Sequence, residues 1–199
     1  MIKGPILIGL TGSIGMGKST TAKMFADHGF PVWDADAAVG RLYSKGGAAV
    51  HPLGALVPTA MVDGAISKPA LKDAIASSPN LLLEIEGIVH PLVKQDRRDF
   101  AAAHQDAEMI VFDVPLLFET GAHKKVDHVV VVSTTPENQR ARVLARGTMD
   151  EPTFNMIMRK QTPDAEKRAQ ADTVIDTETL DGVAAQVQAL VEQLRADHA

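Results

Sequence analysis

The stretch GLTGSIGMGKST, residues 9–20, constrains this chain more than any other. Its glycines make poor core material, yet they sit between an apolar run, Ile6 to Leu10, and a segment that reads as a helix, Ser19 to His28. Gly12-Ser13-Ile14-Gly15-Met16-Gly17-Lys18-Ser19 fits the pattern G-x-x-x-x-G-K-[ST] at every fixed position. A loop of this kind curls so that consecutive N–H groups converge on phosphate oxygens, and the helix behind it adds the positive end of its dipole. Lys18 is expected to reach the β- and γ-phosphates, and the Ser19 hydroxyl to help hold Mg²⁺. Residues 12–19, with Thr20, form the expected nucleotide site.

The flanks have the strand, loop and helix order that this motif needs. Further along, Pro31 to Trp33, Met109 to Asp113, His128 to Val132 and Thr173 to Ile175 read as short buried strands. Helices are expected at 37–45, 137–146, in two short pieces around Pro163 within 151–171, and along the tail, where Leu180, Val183, Val187, Leu190, Val191 and Leu194 share one face. Between 46 and 106 glycines and prolines punctuate short helical pieces; no strand is expected there, and Pro91 is expected to open a helix reaching His104. Alternating strands and helices predict an α/β fold with a mostly parallel sheet covered on both faces.

Composition narrows the function. The chain has 199 residues and a net charge of −5, which suits one well-buried domain and argues against general nucleic-acid binding. It has no cysteine, which excludes disulfides, thiolate metal sites and cysteine nucleophiles and fits the cytoplasm. The apolar start runs straight into the loop without a cleavage site, and no apolar stretch approaches a membrane span. No membrane partner is expected. The oligomeric state is not readable, with a monomer favoured.

Neither an N-K-x-D nor a D-x-x-G motif occurs, so ATP is favoured over GTP and a small-molecule kinase over a switch. Such a kinase needs a carboxylate near its acceptor and arginines over the moving phosphoryl group. Asp34 and Asp36 end the second strand and can supply the first, although Asp36 could equally be a helix N-cap. Arg142 and Arg146 share a helix face, and Arg159 lies on the next helix; all three suit phosphoryl charge or a solvated surface with ion pairs. Asp113 follows four apolar residues in a weak Walker B-like pattern, and His90 says nothing alone. From the residues, another nucleotide-like acceptor or an acceptor-independent ATPase stays open.

The blocks GLTGSIGMGKST at 9–20, DAD at 34–36, LEIEGIVHPLV at 83–93, DVPLLFETG at 113–121, QRARVLAR at 139–146, Gln161, Lys167 and ADTVID at 171–176 resemble the dephospho-coenzyme A kinase family, in its order and across nearly the whole chain. The resemblance implies a single P-loop kinase domain: a three-layer α/β/α fold with a five-stranded sheet, a helical coenzyme-binding insertion and a lid. It places the core at about 1–36, 107–146 and 172–199, the insertion at about 37–106 and the lid at about 147–171. It implies transfer of the ATP γ-phosphate to the ribose 3′-hydroxyl of dephospho-CoA. Asp36 matches the family's base, and Arg142 and Arg146 its lid-side arginines. Asp34, His90, Pro115, Leu116, Leu117, Glu119 and Arg159 fall on the acceptor side. Ser13, Met16, Lys68 and Thr177 depart from the family pattern, Thr177 standing where an asparagine is usual, and the 53–58 stretch lacks the usual Phe-Gly pair.

Overall fold

Ile6–Thr11 forms β1 because its apolar residues are buried on both faces of a sheet, the environment a continuous apolar run requires. In the computed structural model the described residues are 4–147 and 149–198; residues 1–3, Thr148 within the expected lid and Ala199 lie outside them. After β1 come α1 (Lys18–Asp27), β2 (Val32–Asp34), α2 (Ala35–Tyr43), α3 (Val50–Leu56), β3 (Met61–Val62), β4 (Ala65–Ile66), α4 (Lys68–Ser77) and α5 (Leu81–Ala103). Then follow β5 (Met109–Asp113), β6 (His128–Ser133), α6 (Pro136–Ala145), α7 (Glu151–Lys160), α8 (Asp164–Ala169), β7 (Thr173–Asp176) and α9 (Leu180–His198). The chain divides into two units, Met1–Trp33 with His104–Ala199, and Asp34–Ala103.

The first unit is built on a five-stranded sheet of order β2-β5-β1-β6-β7, with β1 parallel to both β5 and β6, and β6 parallel to β7. Alternate residues of β6 enter different layers. Val130 and Val132 pack with Phe25 of α1 and with Val187, Leu190 and Val191 of α9, whereas Val129 and Val131 pack with Leu117 and Phe118. The expected tail helix forms, with its stripe buried from Val183 to Leu194; Leu180 at its start is exposed.

The second unit has its own core, with Ala49, Leu53, Ala60, Leu71, Ile85 and Val89 at its centre. Two expectations fail here. Pro91 does not open a helix: it lies inside α5, which begins ten residues earlier at Leu81. The apolar positions Leu81, Ile85, Ile88, Val89 and Leu92 keep helical spacing through the proline and pack on the same core, so burial outweighs the hydrogen bond that proline removes. The segment also holds strands. β3 and β4 pair as an antiparallel hairpin through Asp63 and Gly64, both at positive φ (51° and 79°), the conformation an Asp-Gly hairpin turn requires.

Leu53 is fully buried and Leu83 is 72% exposed. Leu53→Ala is expected to destabilise the protein by about 2–5 kcal/mol and Leu83→Ala by less than about 0.5 kcal/mol, read from urea unfolding followed by far-UV circular dichroism.

Candidate active site

The turn between β1 and α1 holds its shape because other segments take up its polar groups. The hydroxyl of Thr177 donates to the Met16 carbonyl at 2.9 Å, with the Ser133 carbonyl also within reach at 3.2 Å. Gln139 donates to the Ile14 carbonyl at 2.7 Å, and the Ile14 N–H donates to Gln161 Oε1 at 3.1 Å. Met16 N–H closes a turn onto the Ser13 carbonyl, and the Thr134 N–H points at the Met16 sulfur. The N–H groups of Gly15, Gly17, Lys18 and Ser19 have no acceptor among the described residues. These unspent donors lie where the loop meets α1, a helix with no acidic residue in its first turn and no side-chain cap. That combination attracts an anion.

Two glycines of this loop are required by positive φ. Gly15 has φ 79°, and a Cβ there would lie 2.6 Å from Val143 Cγ2. Gly17 has φ 88°, and its Cβ would crowd Thr177 at 3.1 Å. Ser13 is buried with its hydroxyl unpartnered among the described residues, and Ser19 and Thr20 are exposed. Lys18 is ion-paired with Asp113, which is 2% exposed at the end of β5. The weak apolar-run-plus-aspartate pattern thus belongs to the loop's own electrostatics: Asp113 is the counter-charge of Lys18.

The arginines differ from one another. Arg142 is held on the turn after β7, with Nη1 donating to the Thr177 hydroxyl at 3.0 Å and Nη2 to the Thr177 carbonyl at 2.5 Å. Arg146 and Arg159 are exposed and make no ion pair among the described residues. Thr177 is therefore a site residue that a list of charged groups misses. It is 5% exposed and joins Arg142 to the loop.

In the segment after β5, the Pro115 carbonyl accepts from the Thr11 hydroxyl at 3.2 Å. Leu116 is 43% exposed, and Leu117 is fully buried against Gly9 and Val126, where it packs the core. Glu119 accepts from the Thr162 N–H at 2.8 Å and faces Lys167 Nζ at 3.3 Å. Lys167 is fully buried, and this contact is an ion pair without hydrogen-bond geometry. Burial opposes the charge on Glu119, but the N–H groups of Thr162 and Glu119 itself, with Lys167, hold its carboxyl below the usual glutamate value.

Within the second unit, Asp34 is the N-cap of α2, its carboxylate accepting from the Ala37 N–H at 2.9 Å. The cap that Asp36 could have been is thus Asp34, and Asp36 is exposed in the first turn. His90 lies on a groove of about 430 Å³ lined by apolar side chains including Val39, Tyr43, Leu71 and Ile85, with Lys68, Lys72 and Glu86 beside them.

The chain matches the family model described as CoaE, dephospho-CoA kinase, over residues 6–181. It is similar to a dephospho-CoA kinase of Ruegeria pomeroyi, 58% identical over 189 residues covering 95% of each chain. Among solved structures it is similar to TT1252 from Thermus thermophilus, with TM-score 0.84 and 32% identity over 96% of this chain and 99% of the other. Dephospho-CoA kinase from Campylobacter jejuni, 18% identical with TM-score 0.72 over 97% of this chain and 98% of the other, shares the fold.

Removing the hydroxyl in Thr177→Val takes away one of the bonds that hold Arg142, leaving the one to the Thr177 carbonyl, and leaves the Met16 carbonyl unpaired. The KM for ATP is expected to rise about tenfold, a loss of roughly 1.4 kcal/mol, with Thr177→Ser restoring it in steady-state assays. Glu119→Gln leaves Lys167 buried without its counter-charge, at an expected cost of about 3 kcal/mol at neutral pH. A carboxyl whose folded pKa is depressed stabilises above its unfolded pKa and loses that contribution as pH falls through the folded value. The gap between wild type and Glu119→Gln in urea unfolding should therefore be full at neutral pH and close below the usual glutamate range.

Proposed function

This chain belongs to the dephospho-CoA kinase family and catalyses the last step of coenzyme A formation, with ATP as phosphate donor, and we propose that Asp36 takes the proton from the acceptor hydroxyl. The observation that carries this assignment is local. Asp34 does the capping at the start of α2, which leaves the exposed Asp36 carboxylate unspent.

The nucleotide phosphates lie on the free N–H groups of Gly15, Gly17, Lys18 and Ser19. To reach them, Lys18 exchanges Asp113 for phosphate oxygens. Residues 12–14, 16 and 20 shape that cradle. Mg²⁺ fits as an ion that arrives with the nucleotide, because the exposed Ser19 hydroxyl supplies one oxygen and the remaining ligands suit phosphate and water. Bound there, Mg²⁺ neutralises phosphate charge. Arg142, fixed by Thr177, and Arg146 at the end of the same helix add positive charge toward the nucleotide.

The arm of the acceptor is assigned to the second unit. The groove beside His90 is mostly apolar, with Lys68 and Lys72 against the single carboxylate of Glu86, which suits a ligand combining an aliphatic arm with phosphates. Asp34 fixes the turn that presents Asp36. Pro115, Leu116 and Glu119 shape the acceptor side, Leu117 supports it from the core, and Arg159 supplies charge from α7. In the transfer, the ribose 3′-hydroxyl oxygen bonds to the γ-phosphorus, the bond to the ADP oxygen breaks, and the hydroxyl proton passes to Asp36.

Purified protein with ATP·Mg²⁺ is expected to release ADP only when dephospho-CoA is present, with one CoA formed per ADP. Release of ADP that ignores the acceptor would reject the assignment of the acceptor side. Asp36→Asn is expected to lower kcat by about 10²–10⁴-fold with little change in the KM for ATP, and near-normal turnover would reject Asp36 as the base. Lys18→Ala should abolish transfer.

A further inference from the structure

We infer that Gln161 is a positioning residue that docks the α7–α8 segment on the phosphate loop and so keeps water from the transferring phosphoryl group. The loop N–H that Gln161 takes, that of Ile14, is distinct from the four left unspent where the loop meets α1. The bond from Ile14 to Gln161 is therefore compatible with a filled loop and does not have to break when phosphate arrives.

The neighbouring residue makes the second half of the attachment. Thr162 N–H donates to Glu119, which follows the strand carrying Asp113 and faces the fully buried Lys167 of α8. Two consecutive residues thus join the end of α7 to the phosphate loop and to the segment after β5. α7 also buries Phe154, and α8 is tied to β6 by Asp164, which accepts from the Ser133 hydroxyl at 2.7 Å; the other polar ties of α7 are weaker. Arg140 and Glu151 form an ion pair at its start with both side chains about half exposed, a kind of contact worth little in water. Gln139 reaches only the sulfur of Met158, a weak acceptor. Among polar contacts, the C-terminal end of α7, with Arg159 two residues before Gln161, is therefore held by the pairs at 161 and 162.

This inference rests on the phosphotransfer reading. When the segment is not docked, a water oxygen can bond to the γ-phosphorus in place of the acceptor. The bond to the ADP oxygen breaks, one water proton stays on the phosphate and the other passes to solvent. ADP then forms without CoA.

The test measures ADP and CoA in the same reaction. In the wild type their equality checks the phosphotransfer reading separately from the role of Gln161. Gln161→Met keeps the length of the side chain and removes the acceptor oxygen. The expected result is an ADP-to-CoA ratio raised about threefold or more and a kcat for CoA lowered about tenfold, with the KM for ATP within about twofold of wild type. Gln161→Glu keeps an acceptor for the Ile14 N–H. It should return the ratio to near one while raising the KM for ATP through repulsion of phosphate. Thermal unfolding is measured alongside, and Gln161→Ala replaces the methionine variant, with the same expectation, should that variant not fold. A ratio that stays at one without the acceptor oxygen overturns the inference. So does uncoupling in Gln161→Glu as large as in Gln161→Met.

Discussion

A loop that binds phosphate must keep several backbone N–H groups unpaired in the empty protein, and this is costly unless the rest of the loop is held in place. Here the holding comes from outside the loop. Thr177, Gln139 and Gln161 each take one of its main-chain groups, and each comes from a different segment. The open donors of Gly15, Gly17, Lys18 and Ser19 are the remainder of that arrangement. The order of the sheet brings Thr177 within reach, since β6 runs parallel beside β1 and β7 beside β6, with Ser133 the last residue of β6 and Thr177 the first after β7.

The same arrangement separates the basic groups. Lys18 is pre-paired with the buried Asp113, and Arg142 is fixed on Thr177, whereas Arg146 and Arg159 project from helix ends. An arginine bound to a buried threonine has already lost its side-chain freedom, so a ligand that meets it does not pay that ordering cost again. Arg146 and Arg159 still carry that cost. The distinction follows from where each side chain is anchored; all three are arginines on neighbouring helices.

Much of this was legible in the sequence where local pattern and burial agree. β1, the loop and α1 follow from one motif with its flanks, and β5 and β6 from short β-branched and apolar runs. The failures are of two kinds. α5 runs through Pro91 because an apolar stripe on both sides of the proline packs on one core, a tertiary effect that a local rule about proline cannot weigh. The Asp63-Gly64 hairpin did carry a local signal, but its strands are only two residues long, too short for alternation to register. The clamps on the loop were hidden for another reason. Thr177 and Gln161 lie 161 and 147 positions from their partners, and a neutral side chain on a main-chain group leaves no trace in spacing or charge. Thr177 is instructive: it stands where the family usually has an asparagine, and its hydroxyl turns inward to the loop.

The pairing of β1 with β5 has a kinetic side. Ile6 sits opposite Met109, and the whole second unit, Asp34–Ala103, lies in the intervening chain. The central strand pair cannot form during synthesis until that unit has emerged, and an unstructured connection of this length makes closure slow. A second unit with its own core shortens the effective connection once it collapses. The order of events that favours rapid folding is therefore the reverse of the order in the chain's chemistry: the inserted helices first, the sheet next, and the phosphate loop last, when Gln139, Gln161 and Thr177 have reached it.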